Sequence, residues 1–332
     1  MPTQELPLDT LVAAVRGTAG ALPWASWAQP GLIVVDLDAV PPRAPIPAVH
    51  GGVRAVVAGL TARQPPETHP AAAVCDVVLA SGDRALEAIA STVASSPLAS
   101  CALAVLLRGS GDRSLDAGLT AESAVYSALQ AGPEFTAWRA AHPRRERSPG
   151  GEAVALSRDG QVLHITLCRP EVRNALDTRM RDGLVEAFGL AAIDDSIAEI
   201  HLRGEGSDFC AGGDLDEFGS FPDPATAHLV RLQQSAGRAI AAMRDRTTAH
   251  LHGACIGSGI ELPAFAGTVV AQASTTIALP EVSFGLVPGA GGTVSIPTRI
   301  GRHRTARLAL TGERLDAHTA LAWGLVDTIR ET

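Results

Sequence analysis

From about Gly151 the chain alternates between two spacings of apolar residues. Short runs that alternate apolar and polar positions read as strands. Stretches whose apolar residues recur three and four apart read as helices. AVALSRDGQVLHITLC predicts a hairpin turning at Asp159-Gly160. Asp177 is placed to cap a helix from Thr178 to Ala192, and IAEIHLRG is the next strand. FCAGGDLDEFG reads as a glycine turn opening a helix capped by Asp214, and Thr226 to Arg244 as one long helix. A second glycine turn (Gly253, Gly257, Gly259) leads into an apolar helix, with Glu261 about one turn in. The strand VVAQA, the loop PEVSFGLVPGAGGT, a short helix and TGERLDAHTALAWGLVDTI complete the order. Strands alternating with helices imply an α/β fold with parallel pairing.

The first 147 residues are patterned differently. A short helix from Leu8 to Arg16 is followed by a Gly/Pro/Trp connector, then by strand candidates at Gly31, Arg54 to Leu60 and Cys75. Proline-rich turns, PPRAPIP and RQPPETHP, separate them. From Asp83 the period becomes helical: ALEAIASTVAS, PLASCALAVLLRG, DAGLTAESAVYSALQAG and PEFTAWRAAH, broken at Pro97, Gly109 to Gly111 and Gly132-Pro133. HPRRERSPGG, at 142 to 151, is the best linker candidate, dividing residues 1–147 from a second unit at 151–332.

Composition narrows the function classes. With 46% apolar but only 4% aromatic residues, the core must be built from Ala, Val, Leu and Ile, which suits helices packed on sheets. A net charge of −8 without any lysine gives no support to nucleic-acid binding. Five widely spaced cysteines, none in a C-x-x-C pair, point to a reducing compartment. With no leader-like N-terminus and no apolar run of membrane-spanning length, the sequence suggests a soluble cytoplasmic protein.

The candidate chemistry centres on residues 249–292. Glycines let backbone approach a ligand and leave amide N–H groups unpaired, free to face a developing negative charge. Glu261 and Glu281 flank that turn, and two carboxylates around one site suit acid/base work. His250 and His252 would share one strand face, as metal ligands can, but no third ligand stands at a metal-like spacing. Cys210 and Cys255 lie beside the glycine turns, where small buried cysteines usually pack.

Five ordered segments carry a family resemblance: RPEVRNAL (169–176), GEGSDFCAGGDL (204–215), HGACIGSGIEL (252–262), LPEVSFGLVPGAGGT (279–293) and LTGERLDAHTALAWGLVD (310–327). The part from Gly151 to Thr328 resembles the crotonase superfamily of enoyl-CoA hydratases and isomerases. The resemblance implies a ββα spiral core binding an acyl-CoA, with the additional helical N-terminal region outside it. It puts two oxyanion-hole amides on Gly213 and Ser258. It makes Glu281 the donor of a proton to Cα and Glu261 the group that positions water. Their spacing of 20 residues (281 minus 261) is that of the hydratases. By the same resemblance, Arg173, Ala211, Asp214, Leu215, Gly257, Pro288 and Gly289 are candidate substrate contacts, and Arg173, Arg144 and Arg145 are candidates for coenzyme A phosphates.

The implied activity is hydration of a 2-enoyl-CoA, with an isomerase, a hydrolase or a non-catalytic acyl-CoA-binding subunit as alternatives. Coenzyme A would enter as part of the substrate with no separate cofactor or metal, and no nucleic acid or membrane partner. The assembly implied is a homo-oligomer, a trimer or hexamer. Two departures stand out. Ala266-Gly267 replace the usual Cys-Asp pair, and the chain ends at Thr332, where relatives continue with helices covering the acyl site. Residues 83–145 resemble those helices, displaced in front of the core.

Overall fold

A computed structural model describes residues 3–7, 10–12, 31–39, 53–145 and 150–331. Thr10 to Val12 of the first expected helix are helical. The remainder of that helix, the 17–30 connector, PPRAPIP and the centre of the linker at 146–149 lie outside the described residues.

The N-terminal strands β1 (Thr3–Glu5), β2 (Gly31–Asp36), β3 (Ala55–Thr61) and β4 (Val77–Ala80) form a parallel sheet in that order. Side chains alternate across it. Leu32, Val34, Val56 and Leu79 join the main core, while Ile33, Val35, Val57 and Val78 build a smaller apolar layer behind. Helices α1 (Ala85–Ser95), α2 (Pro97–Arg108), α3 (Leu115–Gln130) and α4 (Pro133–Ala141) follow where the sequence breaks them. Arg108 ties α2 to the sheet through Asp76, in a buried pair at 2.8 Å, and through the carbonyl of Ala55. Asp76 in turn accepts from Val57 N–H.

The chain continues with β5 (Val154–Asp159) and β6 (Val162–Leu167), an antiparallel hairpin with Gly160 at φ +58° in its turn. Helix α5 (Thr178–Ile193) follows, with the Asp177 carboxylate accepting from Met180 N–H at 2.8 Å. Then come β7 (Glu199–Gly204), α6 (Pro224–Gln233), α7 (Ala236–Ala242), β8 (Thr247–Leu251), β9 (Ala254–Ile256), α8 (Ser258–Glu261), β10 (Thr268–Gln272), β11 (Thr276–Ala278), α9 (Gly292–Thr311), β12 (Leu315–Asp316), α10 (Ala317–Trp323) and β13 (Thr328–Arg330). The large sheet runs β13-β10-β8-β7-β6-β5, parallel except for the hairpin, and a small sheet runs β12-β11-β9.

Three expectations are corrected. The long helix from Thr226 to Arg244 is two helices, because Gln234 leaves the helical range and Ser235 caps a new start on Arg238 N–H. Residues 215–219 form turns rather than a helix, and Asp214 caps the turn at Asp216 N–H while pairing with Arg169 at 3.1 Å. The short helix after residue 291 is followed, across a non-helical kink at Gly301 (φ +77°), by a second helical segment, the two together making α9. Its far segment grips the N-terminal sheet. Arg302 donates to the carbonyls of Cys75 and Ala73, and Arg307 pairs with Asp83 at 2.6 Å.

No single helix among the described residues is long and apolar enough to cross a membrane. Only α1 and α2 together would reach that length, and they are bent by 115°.

Candidate active site

A cleft of about 180 Å³ opens between α3, the β9–α8 turn and the loop before α9. Its two backbone edges follow from strand pairing. Leu176 donates to Gly212 O, and Asp214 N–H donates back to Leu176 O, so the intervening Gly213 amide is turned to the opposite side. Cys210 and Cys255 form a matching bridge on the other edge, and the chain turns at Gly257 (φ +52°) into α8. Gly213 and Ser258 both line the cleft, and among the described residues neither amide donates to an acceptor of the fold.

Glu261 and Glu281 are 2% and 7% exposed, deep enough that an ionised carboxylate is strongly disfavoured. They converge on one spot. A Cβ at Gly257 would lie 2.3 Å from Glu281 Oε1 and 3.7 Å from Glu261 Oε1, so the site requires glycine for space as well as for its positive φ. Glu261 Oε2 accepts from Ala290 N–H (2.7 Å) and Gly292 N–H (2.9 Å). Glu281 Oε2 is buried without a hydrogen-bond partner among the described residues. Burial first, then the charges of Glu281 and Glu122, push the Glu261 carboxyl well above the usual range. Burial, with Glu122 adding to it, pushes Glu281 up to about 8.

Glu122 is a buried carboxylate of the cleft wall that the sequence pattern did not single out. It comes from α3 in the N-terminal region and is 2% exposed. One oxygen accepts from Gly291 N–H (2.7 Å), the other from Thr293 N–H (2.8 Å) and Thr293 Oγ1 (2.7 Å). Burial lifts its carboxyl to about 7 against the pull of these donors. Glu122 and Glu261 therefore share the amides that open α9, residues 290–293. The signal was present: Leu119, Glu122, Tyr126 and Leu129 form one buried stripe on α3, and an acid in such a stripe demands a partner. Tyr126 closes the cleft against Gly289, and Phe218 lies against Gly213.

Of the expected site residues, Gly213, Asp214, Ser258, Glu261, Glu281 and Gly289 line this cleft. Gly257 touches it through Glu281, while Pro288 packs on Gly292, just outside the lining. Ala211 and Leu215 do not line it: Ala211 N–H donates to Arg173 O, and the Leu215 carbonyl accepts from the Arg139 guanidinium. Arg173 is exposed, in the left-handed region at φ +52°. Arg144 and Arg145 bind the 216–219 turn, Arg144 through the carbonyls of Phe218 and Gly219 and Arg145 through Asp216. His250 stacks on His201, with ring nitrogens 2.7 Å apart, whereas His252 reaches Gly206 O instead. Among the described residues no three His, Cys, Asp or Glu side chains are grouped to hold a metal. Cys210 is buried, with its thiol pushed up to about 11 by that burial.

Residues 157–331 match the family described as enoyl-CoA hydratase/isomerase. The 2,3-dehydroadipyl-CoA hydratase of Escherichia coli (strain K12) is 34% identical over 176 residues, which are 53% of this chain and 68% of that protein. A crystal structure of enoyl-CoA hydratase from Thermoplasma volcanium GSS1 superposes with a TM-score of 0.51 at 36% identity, covering 54% of this chain and 72% of that one. An enoyl-CoA hydratase/isomerase from Marinobacter aquaeolei gives 0.50 at 30% identity, over 55% and 72%.

Proposed function

Since the chain belongs to the enoyl-CoA hydratase/isomerase family and carries its crotonase-like α/β fold, we propose that the cleft hydrates a 2-enoyl-CoA thioester. The observation that carries this reading is the convergence of Glu261 and Glu281 beside two unengaged amides. The thioester oxygen meets the Gly213 and Ser258 N–H groups, which take up the charge that develops as water adds at Cβ. Such donors contribute about 3 to 4 kcal/mol each in other enzymes. One water sits between the carboxylates. Its oxygen bonds to Cβ, one carboxylate takes its proton, and the other gives a proton to Cα, so the pair ends with the same single proton it began with.

The hydrogen bonds support one place for the proton. Two amides donate to Glu261 Oε2, whereas Glu281 Oε2 has no partner among the described residues, and on that geometry Glu281 is the proton carrier and Glu261 the base, against the rise that burial and the Glu281 charge impose on Glu261. The addition is redox-neutral and draws on no cofactor beyond the coenzyme A of the substrate. In this reading α3 does for the cleft what the family's C-terminal helices do elsewhere, supplying Leu119, Glu122 and Tyr126 to its wall.

The test is hydration of crotonyl-CoA in oxygen-18 water. Label should appear in the 3-hydroxyacyl product, and both Glu261→Gln and Glu281→Gln should abolish it. Isomerisation of a 3-enoyl-CoA without label uptake would replace hydration by double-bond migration.

A further inference from the structure

The carboxylates, the two amides and the Tyr126 ring leave one charged group of the cleft wall unexplained, Arg231. This residue lies on α6, and its half-buried guanidinium lines the same cavity. Nε donates to Ser123 Oγ at 3.1 Å, and Nη2 to Ser127 Oγ and to Ser123 O at 3.4 Å. The guanidinium plane lies over the Tyr126 ring, 4.7 Å from its centre. All of these partners are neutral. Nη1 has no hydrogen bond among the described residues, yet it is not among the buried unpartnered atoms, so it faces open space.

No carboxylate among the described residues hydrogen-bonds to Arg231. Glu122, whose charge favours the Arg231 cation, commits both oxygens to Gly291 and Thr293. Arg181, a second cation on the cavity wall, opposes it and has its own partner in Asp182 at 2.8 Å. A half-buried guanidinium with no hydrogen-bonded anion still has a fork to fill, and that planar fork matches a carboxylate or phosphate oxygen pair.

We propose that Arg231, seconded by Arg181, is an anion-recognition site of the substrate cleft, and that its ligand is a carboxylate at the far end of a short acyl chain. The inference rests on the acyl-thioester reading above. Size selects the acyl terminus over the other anion a thioester carries, a coenzyme A phosphate. The cleft, at about 180 Å³, is close to the roughly 150 Å³ that encloses a benzene ring, so it takes a group of about six to eight heavy atoms. Coenzyme A phosphates are separated from the sulfur by the whole pantetheine arm, which a cavity of this size does not enclose.

The experiment is calorimetric binding of two saturated thioesters, hexanoyl-CoA and adipoyl-CoA, and of their 3′-dephospho forms. Wild type should bind adipoyl-CoA at least about tenfold more tightly than hexanoyl-CoA, as a charged hydrogen bond implies. Arg231→Gln should erase that preference and leave hexanoyl-CoA affinity unchanged. Equal affinity of wild type for both thioesters would overturn the proposal without recourse to any variant. It would also be overturned if Arg231→Gln weakened both thioesters alike. Where that loss disappears with the dephospho forms, the residue serves the phosphate. Where it persists, the residue serves the fold or the pyrophosphate. Saturated thioesters need no turnover, so failure of the hydration reading would appear separately, as inert crotonyl-CoA with the binding preference intact.

Discussion

Replacing Glu281 with glutamine should make the protein more stable while disabling it. The side chain is almost fully buried, its Oε2 has no hydrogen-bond partner among the described residues, and its carboxyl is lifted from 4.5 to about 8. Below pH 4.5 both folded and unfolded chains hold the proton, and the variant should match wild type. Between 4.5 and 8 the unfolded chain releases the proton while the folded chain retains it, so wild-type stability declines as pH rises. Each pH unit of that interval amounts to about 1.4 kcal/mol, which sets wild type back by roughly 3 kcal/mol at pH 7. Glutamine keeps the volume and has no proton to lose. Urea melts of both proteins from pH 4 to 9 should therefore diverge steadily up to about pH 8, with the variant the more stable. Loss of the proton donor should lower kcat by about 10²- to 10⁴-fold. Parallel stability curves across this range, or a variant less stable at pH 8, would falsify the assignment of Glu281 as a carboxyl kept protonated by burial.

Two further substitutions probe the surroundings of that group. Gly257→Ala should drive a methyl into Glu281 Oε1 at a backbone angle alanine rarely adopts, lowering kcat by about 100-fold with binding of saturated thioesters little changed. Retention of more than half the activity would show that the convergence of carboxylates is not used. Glu122→Gln should lower kcat by about tenfold through the loosened 290–293 amides, and should move the alkaline limb of the kcat profile to lower pH. The sign follows from charge, since Glu122 raises Glu281 and its removal lets that proton leave earlier. An unmoved pH profile would leave Glu122 a helix cap alone.

What could be read in advance was whatever the chain encodes locally. The hairpin at Gly160 and the Asp177 cap each depend on a few neighbouring residues, and both stand where the pattern put them. The elements misjudged were those decided by a single conformational break. Apolar spacing runs straight through Gln234 and Ser235, so periodicity alone joins α6 to α7, although Ser235 is a good cap in its own right. Conversely, Gly301 leaves the helical range inside α9, and the segment after that break finds carbonyl partners at Ala73 and Cys75, just before β4. Glu122 could not be placed from spacing because its partners lie about 170 positions away. Its separation from Gly291 and Thr293 is 169 and 171 residues.

The bent helix α9 has a consequence for how the protein comes apart. Its first amides are held by a carboxylate from each half of the chain, and its far segment is clasped to the edge of the leading sheet. Neither half can therefore melt and leave the other unaltered. A trailing half produced alone would lack the partner for Gly291 and Thr293 beside its reaction centre, so heat or denaturant should remove catalysis and both sheets in one cooperative step.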